Sequence, residues 1–228
     1  MRANRGKLFS LAGLVLAAAV LSAPVVAGEK QLDVFNYDDL MEKIFWDELY
    51  PTGGWTLYCG YHFNHDRKTD HGKPVVIDHI YPTSWMFRQL GCRNRLQCRS
   101  NDNGLFKRME ADMHNLYPVW QALVVYRYDN RYGEIPGEDW RFKDCDFEWQ
   151  GDISEPRPMA WGNIARAMFY MHSHYGLPLD QDMLKTLKKW NRNDPPSKQE
   201  MSRNDRIEQI QGTRNPYIDN PGLADQLR

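Results

Sequence analysis

The 228-residue sequence has no excess of either charge, with 29 Lys and Arg against 30 Asp and Glu. That excludes a globally basic nucleic-acid-coating protein, though not a local basic patch. It has no internal repeat, no low-complexity run and no linker that would divide it into domains. A charged fraction of 26% together with eight Trp sets it apart from disordered, collagen-like and coiled-coil chains. Cysteine is scarce, four residues in all, and no two are spaced CxxC, which argues against zinc. Beyond the first 27 residues no apolar run is long enough to span a bilayer. What remains is enough chain for one globular domain with a real core.

The start of the chain reads as a secretory signal. Arg2, Arg5 and Lys7 form a positive head, Leu8 to Leu21 is apolar or small, and Val25-Val26-Ala27 offers a small-residue cleavage site. Cleavage after Ala27 leaves 28–228 as the mature domain, with 26 basic and 30 acidic residues. Export implies an oxidising compartment, periplasmic or extracellular, in which four cysteines can form two disulfides. Of the three pairings available, the short loop Cys92–Cys98 with the long closure Cys59–Cys145 is favoured.

Periodicity predicts a mixed α+β domain, helix-rich outside a small strand region. A helix capped by Asn36 is predicted from Tyr37 to Tyr50, then a strand over Trp55 to Phe63. A second strand, Val75 to Tyr81, ends at Pro82, and Thr83 or Ser84 caps a short helix to Leu90. The stretch 91–104 is expected to be loop. Phe106, Met109, Met113 and Leu116 mark one face of a helix ending near Pro118, and 119–126 is helical or extended. Gly133 to Pro158 reads as loop, rich in acidic residues. An amphipathic helix through Ile164 to Met171 stops at Gly176, Asp180 caps a helix from Gln181 to about Trp190, and a short helix is expected around Arg203 to Ile210.

Three clusters could carry chemistry. Asp78-His79 places two ionisable groups inside an apolar strand, where a carboxylate could hold a hard cation and a neutral imidazole could take a proton from water. Neighbouring strand residues point to opposite faces, so a shared site requires the strand to be distorted there. Glu110 and His114 are one helical turn apart and can pair. The third cluster is basic. Between Arg88 and Arg108 six basic residues face a single acid, Asp102, and a Cys92–Cys98 bridge would restrain Arg93 and Arg95 for fork-like contact with phosphate.

The strings GGWTLYCGYHF (53–63), DHIYPTSWM (78–86), GC and QC (91–98), KRMEADMHNLYP (107–118), YGEIPGE (132–138), NIARAMFYM (163–171) and QGTRNPYID (211–219) occur in order along the chain. Together they resemble the bacterial endonuclease I family over about residues 34–220. The resemblance implies a single nuclease domain with a ββα-metal (His-Me) finger. It implies a metal-dependent, sequence-nonspecific endonuclease, exported, that leaves 5′-phosphate and 3′-hydroxyl ends on DNA, with RNA as an open second substrate. By the same likeness Asp78 is the Mg²⁺ ligand (Mn²⁺ or Ca²⁺ being alternatives), His79 activates water and Arg95 grips the scissile phosphate. Arg93, Arg99 and Arg127 are expected to meet nucleic acid, and the strand is expected to be irregular at Asp78-His79.

One position departs from that pattern. The family's second metal ligand is an asparagine nine residues after the Asn of HNL, and counting from Asn115 lands on Val124. Valine cannot coordinate a cation. Asn130, Asp129 and Gln121 are nearby substitutes in sequence. A degenerate fold that binds nucleic acid or a protein without cutting is therefore the alternative. As the base, His79 should lose activity on protonation, so a flat rate below about pH 6 would count against that role. No membrane association is expected after signal removal, and a monomer is the default.

Overall fold

The computed structural model describes Met1 and residues 37–101, 104–139 and 141–228. The signal segment, its cleavage point and the Asn36 cap lie outside the described residues. The chain opens with α1, a helical turn Tyr37–Asp39 that widens into a π-helix over Leu40–Leu49. It is followed by β1 (Gly54–Trp55), β2 (His62–Phe63) and β3 (Val75–His79). Three short helices, α2 (Thr83–Gln89), α3 (Arg95–Asn101) and α4 (Leu105–Ala111), lead through a 3₁₀ turn at Met113–Asn115 into β4 (Leu116–Trp120) and α5 (Gln121–Arg127). Next come β5 (Arg131–Tyr132), β6 (Phe147–Gln150) and β7 (Ile153–Pro156), then α6 (Trp161–Tyr175), α7 (Gln181–Asn193), α8 (Lys198–Gln211) and α9 (Pro216–Asp219).

Helix α6 is apolar on almost every side because other elements surround it: Ile164, Ala165, Ala167, Met168, Phe169 and Met171 are all buried. Each large side chain so buried contributes about 1.5–3 kcal/mol. Gly176, in the left-handed region at φ 66°, ends this helix as predicted. Asp180 caps α7 by accepting the amides of Asp182 and Met183. The Trp161 and Trp190 rings stack at 5.0 Å between α6 and α7. Arg166, buried on α6, is held by Glu200 at 2.7 Å from α8, which also explains why the polar α8 extends well beyond the short helix predicted there.

Two hydrophobic cores meet at β3. The larger gathers α6, α7, α9 and the 57–59 and 80–81 segments, while the smaller joins α1, Phe63, Met113, Leu116 and Ile207. Strand β3 pairs antiparallel with β4 from Val75↔Trp120 to His79↔Leu116. Its Val75 and Ile77 belong to the smaller core, and Val76 packs on the larger. Disulfides Cys59–Cys145 and Cys92–Cys98 form as favoured.

Several expectations are corrected. The segment 55–63 is a hairpin whose turn lies at 56–60, where Gly60 at φ 66° sets the reversal. Thr83 and Ser84 do not cap α2, whose N-terminus is set by Pro82. Part of 91–104 is helical, as α3. Pro118 lies inside β4 rather than ending a helix. It sits opposite Ile77 and turns its carbonyl outward to accept the amide of Leu57 at 2.9 Å, so its missing N–H falls on the free edge. The supposed loop 133–158 contains β6 and β7, which form a three-stranded sheet with β5.

Candidate active site

The register of β3 and β4 runs unbroken through Asp78↔Tyr117 and His79↔Leu116. The strand is therefore regular at the pair, contrary to the expectation of a distortion, and the two side chains leave it on opposite faces. Each is built into a different core. The strand ends at His79, and the chain turns there through Pro82 into α2.

On the smaller-core face, the His79 Nε2–H donates to the backbone carbonyl of Glu110 at 2.9 Å. This fixes the neutral tautomer and leaves Nδ1 as the proton acceptor. The ring of Tyr37 stacks on the imidazole at 5.2 Å, and the Arg95 guanidinium lies over the Tyr37 ring at 4.4 Å from its centroid. The fully buried Glu110 carboxylate binds Arg95 Nε through one oxygen and Arg99 Nε through the other, at 2.7 Å for Arg99. Glu110 thus holds the His79 imidazole and the Arg95 guanidinium together, 31 and 15 residues away in sequence. The Arg95 Nη2 is buried without a hydrogen-bond partner among the described residues, a donor suited to a phosphate oxygen.

Burial pushes the His79 imidazole down to about 3, and the cations Arg95 and Arg99 add to this against the Glu110 carbonyl. Burial thus favours the neutral, proton-accepting form of His79 and moves the expected acid limb below pH 6. An arriving phosphodiester would offset the two cations and raise its basicity. The predicted Glu110–His114 pair does not form. The helix ends at Ala111, and His114 Nε2 instead meets the Thr213 carbonyl at 3.1 Å, with burial holding that imidazole down at about 4.

On the larger-core face, Asp78 Oδ2 accepts the Tyr58 hydroxyl at 2.8 Å and Oδ1 accepts the His79 amide at 2.9 Å. Burial raises its pKa despite the opposing Arg127 charge, and Asp129 adds to the upward push. The Arg127 charge only partly offsets this burial, and each Asp78 oxygen keeps acceptor capacity. Among the described residues no group of three or more His, Cys, Asp and Glu side chains could hold a metal. The donor set fits a hard cation that keeps most of its water, as Mg²⁺ does.

Val124 lies on α5, half-buried against the larger core. Of its three neighbours in sequence, Asn130 is turned to the Tyr126 carbonyl and Ser154 hydroxyl, at 3.1 and 3.0 Å, and Gln121 is exposed. Asp129 pairs with Arg88 at 3.8 Å.

Arg127 is corrected from a nucleic-acid contact to an internal clamp. It is 1% exposed, and its nitrogens donate to Tyr132 Oη (2.8 Å), the Tyr128 and Asn130 carbonyls (3.0 and 2.7 Å) and the Ile80 carbonyl (2.9 Å). Arg93 is exposed beside Gln97. Arg99 is engaged with Glu110 and with Asp38 at 3.6 Å. The Cys92–Cys98 bridge ties the start of α3, which carries Arg95. The acidic 138–155 segment does not line the site: Glu148 and Glu155 accept the amides of Asp139 and Ile135. A cavity of about 260 Å³ there, bounded by Glu138, Arg141 and Trp149, shares no residue with the site. Sequence reasoning missed Tyr37 and Tyr58, and only the aromatic density around them hinted at a role.

The endonuclease I family matches residues 54–222 of the chain. An extracellular deoxyribonuclease of Aeromonas hydrophila is 30% identical over 226 aligned residues, covering 89% of this chain and 94% of that protein. A periplasmic deoxyribonuclease of the same organism is 29% identical, covering 88% of this chain and 90% of its own length. An extracellular ribonuclease of Bacillus amyloliquefaciens is 34% identical over 140 aligned residues, covering 51% of this chain and 46% of that protein.

Proposed function

The chain belongs to the endonuclease I family, and from that premise we propose that it is an exported, periplasmic or extracellular nuclease that hydrolyses phosphodiester bonds of DNA with little sequence preference. The observation that supports this reading most is the convergence of His79 and Arg95 on Glu110, which brings a neutral proton acceptor beside a guanidinium with a free buried donor.

In this reading His79 Nδ1 takes a proton from the attacking water, whose oxygen bonds phosphorus in line as the P–O3′ bond breaks. The 3′-oxygen takes up a proton from solvent, leaving a 5′-phosphate and a 3′-hydroxyl. Arg95 holds a non-bridging oxygen, with Glu110 fixing the direction of its fork. Mg²⁺ at Asp78 would neutralise charge developing on the phosphate. Tyr58, bonded to Tyr132 and through it to Arg127, keeps the Asp78 carboxylate oriented. Because these groups meet backbone phosphate and not base edges, they carry no sequence preference. RNA has the same phosphodiester, and the ribonuclease relative supports it as a second substrate.

The test is plasmid nicking by the mature, disulfide-intact protein in Mg²⁺ and in EDTA, with His79→Ala alongside. Metal-dependent cutting that the variant loses is the expected result. No cutting by folded protein in Mg²⁺, Mn²⁺ or Ca²⁺ would overturn the enzyme reading, and Val124 would then favour a binding protein that has lost its chemistry.

A further inference from the structure

Among the described residues only Arg67 and Tyr128 adopt positive φ without being glycine. Tyr128 stands at φ 41°, ψ −134° at the end of α5, a conformation that a bulky side chain resists. Burial does not compensate, because Tyr128 is 73% exposed. Val125, one helical turn earlier on the same side of α5, is 76% exposed. An aromatic ring is thus held out in water on a backbone that costs free energy to maintain.

What maintains it belongs to the site. Arg127 donates to the carbonyls of both Tyr128 and Asn130, and with its other arm to Ile80, two residues beyond Asp78. The Asn130 amide then ties the loop to Tyr126 and Ser154. The Tyr128 backbone and the strand carrying Asp78 are therefore clamped by opposite arms of one guanidinium. The next residue, Asp129, meets Arg88, whose side chain is 56% exposed.

We propose that Tyr128 is a stacking platform for an unpaired nucleobase next to the cut site, giving the protein a preference for single-stranded or unstacked nucleic acid over regular duplex. The inference rests on the nuclease reading. An exposed ring on a clamped backbone offers its face to any base, so the preference is for strandedness and not for sequence. Arg127 acts here as a positioning residue.

The test uses the His79→Ala protein in Ca²⁺, with fluorescence anisotropy on a labelled dT12 strand and on a 12-base-pair duplex at fixed salt. Adding Tyr128→Ala is expected to weaken strand binding by about tenfold, leave duplex binding within about twofold, and leave the salt slope unchanged because no charge is lost. Tyr128→Phe should bind like the parent. Tyr128→Gly should weaken strand binding while raising the urea midpoint, since glycine relieves the conformation. Unchanged strand affinity in Tyr128→Ala, or equal loss on strand and duplex, overturns the stacking role while leaving the nuclease reading intact. Failure of the parent to bind either oligonucleotide overturns both.

Discussion

Replacing Val124 by Asn tests the departure at the metal site most directly. Val124 sits in α5, which packs on β3, and its side chain is half-buried against the larger core. Losing half of an apolar burial costs about 1 kcal/mol. Valine and asparagine have similar helix propensities, so α5 itself should persist. In EDTA the variant should melt about 2–4 °C lower, as expected for about 1 kcal/mol in a chain of this size. If position 124 faces the Asp78 cation, the amide oxygen adds a protein ligand and should tighten the metal at least tenfold, about 1.4 kcal/mol. Mg²⁺ titration of plasmid nicking reads this as a lower midpoint, and Ca²⁺ calorimetry in a His79→Ala background reads it without turnover. A lower melting temperature with both metal midpoints unmoved would refute the placement of residue 124 in the metal shell.

The pH dependence should separate the two ionisable groups. Burial holds His79 near 3, below its unfolded value of about 6.5. Its contribution to stability is therefore present above about pH 6.5 and lost toward pH 3, by at most about 1.4 kcal/mol per pH unit. Asp78 is shifted the other way, so its proton competes with the metal. The acid limb of nicking should move to lower pH as Mg²⁺ is raised, and a limb fixed near pH 6 at every Mg²⁺ concentration would return the role to an ordinary histidine. Glu110→Gln removes the anion shared by Arg95 and Arg99. It should cost about 3–5 kcal/mol in urea unfolding, as for a broken buried pair, and lower kcat/KM, while Glu110→Asp keeps the charge and recovers part of the stability. Cys59→Ser with Cys145→Ser opens an 86-residue closure, worth about 4–5 kcal/mol by chain entropy, against about 2 for Cys92–Cys98. Paired denaturation curves check the order.

The long-range architecture was legible where a local rule acted alone. Gly176 and Asp180 bracket α6 and α7 because a left-handed residue and a carboxylate cap act within one turn. Pro118 misled because its usual effect is to end a helix, whereas here an edge strand leaves its nitrogen unneeded. In the candidate site, a motif named Asp78, His79 and Arg95, but their arrangement was not legible. Sequence spacing favoured Glu110 with His114, and the fold instead turned Glu110 toward Arg95 and Arg99, contacts that only tertiary packing could create. Arg127 looked like a surface cation until three carbonyls and a hydroxyl enclosed it.

The division of β3 between two cores gives the two halves of the site separate tolerances to damage. The imidazole rests on α1, the 3₁₀ turn and α8, whereas the carboxylate rests on the body built around α6. The smaller assembly contains few fully buried side chains, so amides of α1 and α8 should exchange with solvent through partial openings that leave α6 protected. Drift in sequence along α1 or α8 would then uncouple the His79 side while the Asp78 side stays folded. The opposite order of loss would require damage to the whole domain. If the proposed function holds, its decay in such a lineage has a preferred direction, and the intermediate stage is a protein that keeps the Asp78 side of the site after the His79 side has come apart.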